Sequence, residues 1–264
     1  MSKVTLHSLS EMKKTGEKFA CLTAYDSTQA HLVSSQGVEV ILVGDSLGNV
    51  CQGHNSTVPV TVDDMCYHTQ SVSRQSVNAL IMSDLPFASY TTEEQALTNA
   101  TRLMQAGAEV VKLEGEGWLP PIVSRLREQG IPTCVHLGLT PQAVHVLGGY
   151  KVQGRDADRA TAMIDAAVEL DKAGAAILLL ECVPSVLARE ITRMVNIPVI
   201  GIGAGVDTDG QILVIYDMLD MTAGRKPRFV KNYMADAGSA QEAVALYVKE
   251  VKETSFPTSE HGFS

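Results

Sequence analysis

Five stretches of this sequence carry an apolar run that stops on an ionisable side chain. Val40 to Asp45, Leu80 to Asp84, Val110 to Glu114 and Ile177 to Glu181 end on carboxylates, and the shorter Pro132 to His136 ends on an imidazole. Carboxylates gathered at one place repel one another until at least one takes up a proton. A hard divalent cation removes that cost, and oxygen-only ligation with open positions suits Mg²⁺ held by one or two carboxylates plus substrate and water. Asp45, Asp84 and Glu114, from consecutive runs, are therefore the candidate metal ligands. No H-E-x-x-H motif or Cys/His cluster points to zinc. The competing explanation is that each acid caps the helix that follows it, a common task for Asp at a strand–helix turn.

Lys112 and Glu114 lie two apart, so strand alternation points both to one side. A lysine buried there needs an anionic partner. It holds a substrate carboxylate or forms a structural pair with Glu114. Glu181 comes from the other side of the sheet order, away from the three acids. Its flanks, Ile177 to Leu180 and Val183, are apolar, and desolvation raises a carboxyl toward the pKa that a general base needs near neutral pH. His136 either polarises a substrate oxygen or is a satisfied core residue.

These groups need a scaffold that brings strand ends to one mouth. Runs as apolar as Val40–Val43 are expected of parallel strands covered on both faces. Strand-like runs begin at Phe19, Val40, Leu80, Val110, Pro132, Ile177, Ile197 and Gln211, and helical segments alternate with them. Asp26 or Ser27 caps the helix ending near Ser35, Thr61 opens one to Gln75, and Thr92–Gln95 has the capping-box form. Further helices read from Pro120 to Gln129, from Arg159 to Lys172 and from Pro184 onward. Eight strands in 264 residues predict a single-domain (β/α)₈ TIM barrel over residues 1–264, with chemistry at the C-terminal strand ends. An extra helix spans Thr5–Lys14, terminal helices Phe229–Glu253, and Thr254–Ser264 reads as a polar tail. Two connections, 47–59 and 137–158, exceed the usual two to six residues and read as aperiodic functional loops. Gly201-Ile202-Gly203-Ala204-Gly205 follows the seventh strand, where barrels often bind phosphate, but a tight turn explains it equally well. Trp118, His54 and His145 carry no signal of their own.

The composition, 45% hydrophobic and 19% charged, is that of an ordinary globular protein. A net charge of −9 argues against nucleic acid or an anionic membrane surface as partner. Five scattered cysteines without a C-x-x-C pair suggest a reducing compartment. No apolar leader precedes Lys14 and no run reaches the length of a bilayer span, so a cytoplasmic location is expected.

Several blocks together resemble one family: LVGDSLGNVCQGHNSTVPVT (42–61), SDLPF (83–87), KLEG (112–115), HLGLTPQ with GGYKVQGR (136–155), LLLECVP (178–184) and IPVIGIGAG (197–205). They are similar to the 3-methyl-2-oxobutanoate hydroxymethyltransferase, or ketopantoate hydroxymethyltransferase, family. The resemblance implies a homodecameric (β/α)₈ barrel in pantothenate and coenzyme A biosynthesis. The implied reaction moves a one-carbon unit from 5,10-methylenetetrahydrofolate to 3-methyl-2-oxobutanoate through a Mg²⁺-stabilised enolate, giving 2-dehydropantoate. Matching motifs imply Asp45, Asp84 and Glu114 as Mg²⁺ ligands, direct or through water. They imply Asp45, Ser46, Asp84 and Lys112 as keto-acid contacts, with His136 beside them, and Glu181 as the proton acceptor. Glu116 and Tyr216 depart from the family pattern, and both are expected to lie clear of the site. Two rivals stand beside this reading. One is a Mg²⁺-dependent lyase or mutase of the phosphoenolpyruvate mutase/isocitrate lyase type, told apart by folate dependence. The other is a catalytically silent oligomeric scaffold, told apart by keto-acid binding without turnover.

Overall fold

The apolar runs become eight short parallel strands that close on themselves: β1 (Phe19–Thr23), β2 (Val40–Val43), β3 (Leu80–Asp84), β4 (Val110–Glu114), β5 (Thr133–Gly138), β6 (Ile177–Glu181), β7 (Val199–Ile202) and β8 (Gly210–Leu213). Each strand pairs with its sequence neighbours, and β8 returns to β1, so no sheet edge is left exposed. The structure, a computed structural model, describes residues 2–222 and 226–264. Strand residues are buried almost throughout because helices cover the outer face and side chains fill the interior. The principal helices are α1 (Leu6–Thr15), α2 (Ser27–Ser35), α3 (Leu47–Val50), α4 (Val62–Ser73), α5 (Glu93–Gln105), α6 (Pro120–Glu128), α7 (Val144–Leu147), α8 (Ala157–Ala173), α9 (Ser185–Met194), α10 (Ile215–Met218) and α11 (Ala240–Lys252). Among the described residues, no helix is long and apolar enough to cross a membrane.

Register does the positioning. Asp84 of β3 lies opposite Lys112 of β4, Glu114 of β4 opposite His136 of β5, and Gly138 of β5 opposite Glu181 of β6. A shift of one residue in any of these pairings would turn the chemistry away from the mouth.

The sequence reading differs from the structure at identifiable places. Strand and helix do not alternate throughout: β7 and β8 are joined by residues 203–209 without a helix. The link returns the chain to the start of β7 without a helix, and the Asp209 N–H there donates to the Val199 carbonyl at 2.9 Å. The first long connection opens with α3, and the second contains a 3₁₀ turn (Pro141–Ala143) and α7, so neither is aperiodic throughout. β5 runs two residues past His136, and α8 begins at Ala157 because Asp156, not a later residue, accepts from the Arg159 N–H as its cap. The Thr92 capping box is half formed: Thr92 accepts from the Gln95 N–H, whereas the Gln95 side chain turns back to Thr91. Pro184 is the N-cap of α9 rather than its first residue. The eighth strand ends at Leu213, and Ile215 opens α10. Residues 229–232 precede the terminal helices, and the last segment is not simply polar. Phe256 is buried against Tyr233 and Tyr247, and Phe263 reaches the main cavity.

Candidate active site

A cavity of about 830 Å³ opens at the C-terminal ends of the strands. Asp45, Ser46, Asp84, Lys112, Glu114, His136 and Glu181 all line it. Chain positions up to 136 residues apart (45 to 181) thus meet in one site, and the strand ends account for the meeting.

None of the three clustered acids caps a helix. The side chains that cap neighbouring helices belong to Asp26, Thr61 and Thr92, while α3 and α6 lack a side-chain cap. The capping explanation therefore does not account for Asp45, Asp84 or Glu114. Their contacts do. The Asp45 backbone N–H donates to Asp84 Oδ2 at 2.9 Å. Lys112 Nζ lies 2.8 Å from Asp84 Oδ1 and 3.4 Å from Glu114 Oε1, so it serves two acids rather than Glu114 alone. Asp84 Oδ1 is buried, and its near neighbour is the Lys112 ammonium. Glu114 is more fully engaged: Oε1 faces His136 Nδ1 at 3.2 Å, and Oε2 accepts from the Gln142 N–H at 3.0 Å. Among the described residues, no three acids, histidines or cysteines stand as a ready-made metal cage. The three acids converge, but two face a cation more openly than the third.

The electrostatics follow from burial and neighbours. Burial, together with the charges of Asp84 and Glu114, pushes the Asp45 carboxyl well above its usual range. Burial alone would also raise Glu114, but Lys112 and the His136 hydrogen bond hold it below its ordinary value. Desolvation alone would lower Lys112, yet the fields of Asp84, Glu114 and Asp45 outweigh it and keep the ammonium charged. Burial lowers His136, which is neutral at pH 7. With Glu114 ionised, Nδ1 carries the proton and donates, leaving the Nε2 lone pair directed to the other side.

That side is Glu181, whose Oε2 lies 3.4 Å from His136 Nε2. Desolvation first, and the charge of Glu114 second, raise the Glu181 carboxyl to about 8. Glu181 is thus not remote from the three acids as its place in the chain suggested; one imidazole separates it from Glu114. Its backbone is tightly held. Gly138 adopts φ +92°, and a Cβ there would fall 2.3 Å from the Glu181 carbonyl oxygen. That close approach admits only glycine. The next residue, Cys182, sits in the left-handed region at φ +48°, a strain of order 1 kcal/mol beside the reacting group.

Several residues of the site lacked a sequence signal. Tyr25, just past β1, bonds through its hydroxyl to Ser46 Oγ at 2.8 Å. Tyr216, one departure from the family pattern, stacks on Tyr25 with centroids 5.7 Å apart but does not itself line the cavity. Glu116, the other departure, pairs with Arg159 at the surface. Gln142 touches both Asp45 and Glu114. Its presence in the HLGLTPQ block was the only hint available. Phe229, Phe263, Lys226 and Arg228 also line the cavity, from loop and tail positions. The glycines after β7 serve packing: the rings of Phe229 and Phe263 occupy the space where a Gly203 Cβ would project. Trp118 stacks on Tyr90 at 5.8 Å beside a second, smaller cavity of about 440 Å³.

Comparison with known proteins bears on this site. The profile of the family described as ketopantoate hydroxymethyltransferase matches residues 3–259. A 3-methyl-2-oxobutanoate hydroxymethyltransferase of Marinobacter nauticus is 58% identical over 260 residues, covering 98% of both chains. That of Shewanella loihica is 56% identical over 264 residues, covering all of both. Among solved structures, phosphonopyruvate hydrolase in complex with oxalate and Mg²⁺ shares the fold at a TM-score of 0.61 and 10% identity, over 81% of each chain. So does 2,3-dimethylmalate lyase, a member of the phosphoenolpyruvate mutase/isocitrate lyase superfamily, at 0.56 and 14% identity over 79% of this chain and 80% of that one.

Proposed function

The chain belongs to the ketopantoate hydroxymethyltransferase family, and from that premise we propose that it transfers a hydroxymethyl group from 5,10-methylenetetrahydrofolate to 3-methyl-2-oxobutanoate. The product is 2-dehydropantoate, a precursor in pantothenate and coenzyme A biosynthesis. One water is consumed: the donor's methylene carbon becomes the new CH₂OH group, and tetrahydrofolate leaves. The observation that carries this reading is a carboxyl raised to about 8, Glu181, facing the same cavity as Asp45, Asp84 and Lys112. A high-pKa base opposite an anion-and-cation cluster suits removal of a proton next to a carbonyl.

The cluster fits a divalent cation. Three buried carboxylates, Asp45, Asp84 and Glu114, stand around the single buried ammonium of Lys112, and Asp45 carries more negative surroundings than Lys112 alone offsets. Asp45 and Asp84 would hold Mg²⁺ directly and Glu114 through water, and there the ion supplies Lewis-acid polarisation of the keto oxygen.

The chain's own groups do the rest. Lys112 offsets the substrate carboxylate with a charge that its acidic neighbours keep in place. The Ser46 hydroxyl, oriented by Tyr25, donates to the keto acid. Glu181 takes the C3 proton, and the Nε2 lone pair of His136 then accepts a hydrogen bond from the protonated carboxyl. Water adds to the donor's methylene carbon as its two C–N bonds break and tetrahydrofolate leaves, and the C3 carbon attacks the resulting one-carbon carbonyl, whose oxygen takes a proton to become the new hydroxyl. At about 830 Å³ the cavity matches a ligand of drug size rather than a five-carbon acid alone, and the donor takes the half bounded by Ile202, Phe229 and Phe263. Lys226 and Arg228 on that side suit its glutamate carboxylates. We extend the reading to a cytoplasmic homo-oligomer, a decamer by family resemblance; five free cysteines support the reducing compartment.

The rival lyase or mutase reading shares the barrel at 10% and 14% identity, whereas relatives at 56–58% span the chain, which favours transfer. The test is formation of 2-dehydropantoate from the keto acid. It should require both 5,10-methylenetetrahydrofolate and Mg²⁺; product formed without folate, or cleavage of a 2-methylisocitrate-like acid, would replace the assignment.

A further inference from the structure

Gln142 is a neutral, buried side chain that touches two of the three acids, Asp45 through its amide and Glu114 through its backbone N–H. It lies in the 3₁₀ turn Pro141–Ala143 and is 6% exposed. Nε2 donates to Asp45 Oδ2 at 2.8 Å and to the Leu85 carbonyl at 3.0 Å. Oε1 accepts from the Tyr90 hydroxyl at 2.5 Å, and the backbone N–H donates to Glu114 Oε2 at 3.0 Å. Tyr90 is fixed in turn, its hydroxyl oxygen accepting from the Glu114 N–H at 3.1 Å. Both amide protons are used, so the rotamer of Gln142 is determined and with it the plane of the Asp45 carboxylate.

We propose that Gln142 is a positioning residue for the cation site: it fixes Asp45 so that this carboxylate can share a divalent ion with Asp84, and it links that orientation to Glu114. The inference rests on the reading of Asp45 and Asp84 as cation ligands. The reasons for an amide here are physical. A second carboxylate at 2.8 Å would repel Asp45, a lysine would compete with the cation, and an apolar side chain would leave Asp45 to rotate. A partner that orients a ligating carboxylate is worth about tenfold to a hundredfold in metal affinity.

The experiment measures Mn²⁺ binding to the substrate-free protein by electron paramagnetic resonance of the free ion. It compares wild type with Gln142→Met, Tyr90→Phe and Asp84→Asn. Gln142→Met preserves volume and the backbone N–H to Glu114 but loses the donation to Asp45, and should weaken Mn²⁺ binding about tenfold or more. Tyr90→Phe, which frees the amide oxygen and the Glu114 backbone N–H but leaves the donation to Asp45, should weaken it less and in the same direction. In turnover, Gln142→Met should need more Mg²⁺ for half-maximal rate while saturating Mg²⁺ restores most of kcat, a pattern that general loss of packing does not produce. Mn²⁺ affinity of Gln142→Met equal to wild type overturns the proposal. If that variant does not fold, unchanged affinity in Tyr90→Phe overturns it. Wild type that binds no Mn²⁺, or Asp84→Asn that binds as wild type does, is a separate result: it removes the cation-site reading and the proposal with it.

Discussion

Two groups of residues that line the cavity are held differently. In one, Asp45, Asp84, Lys112, Glu114, His136 and Glu181 stand within two residues of strand ends, and register sets Asp84 beside Lys112 and Glu114 beside His136. In the other, Phe229, Phe263, Lys226 and Arg228 come from loop and tail segments held by a few backbone bonds, such as the Phe263 carbonyl accepting from the Ser185 N–H at 3.0 Å. Charged groups that must be positioned closely sit on the barrel, where shifting one means shifting a strand. Groups that only need to fit a large partner sit on segments that can change without disturbing the sheet. Under the proposed function, bond making belongs to the first group and choice of donor to the second.

The largest effect should come from the first, charged group. Lys112→Met leaves Asp45, Asp84 and Glu114 without their buried cation, and removing one partner of such a network is worth about 3–5 kcal/mol. Calorimetry should show a large fall in melting temperature, accompanied by loss of turnover. A melting temperature equal to wild type would mean that the acids are not held by charge.

Next comes Glu181→Gln, read through stability. The folded carboxyl is raised from 4.5 to about 8, so the native state keeps a proton that the unfolded chain releases. Wild-type stability must fall as pH rises from 4.5 to 8. The variant lacks that fall. Above pH 8 it should exceed wild type by on the order of a few kcal/mol, and the difference should vanish at low pH. Parallel denaturation curves across this range would deny the raised carboxyl.

The second group should give a smaller and different response. Phe263→Ala should raise KM for the folate donor about tenfold, roughly 1.4 kcal/mol, while keto-acid binding is unchanged. Equal weakening of both substrates would erase the division between the groups. The smallest effect belongs outside both. Thr61 caps α4 in a reciprocal pair with Asp64, and Thr61→Ala should lower stability by about 1 kcal/mol without altering either KM.

The same division decided what the sequence revealed. Asp84, Glu114 and Glu181 close runs that only a doubly covered parallel strand explains, so their place at the mouth could be read directly. Gln142 and Tyr25 lie in irregular segments, where a neutral polar residue has no period to mark it. Phe263 belongs to a segment whose composition is mostly polar, and its packing depends on a Gly203 far away in the chain. The link between β7 and β8 read as an ordinary βα unit because a return without a helix has no local sequence signal.

The account depends most on Glu181 as the group that opens the reaction. The direct measurement is loss of deuterium from C3 of 3-methyl-2-oxobutanoate into water, with Mg²⁺ present and folate absent, followed by NMR. Wild type should exchange, and Glu181→Gln should exchange at least about a hundredfold more slowly while still binding the keto acid. Exchange by Glu181→Gln at the wild-type rate would contradict it.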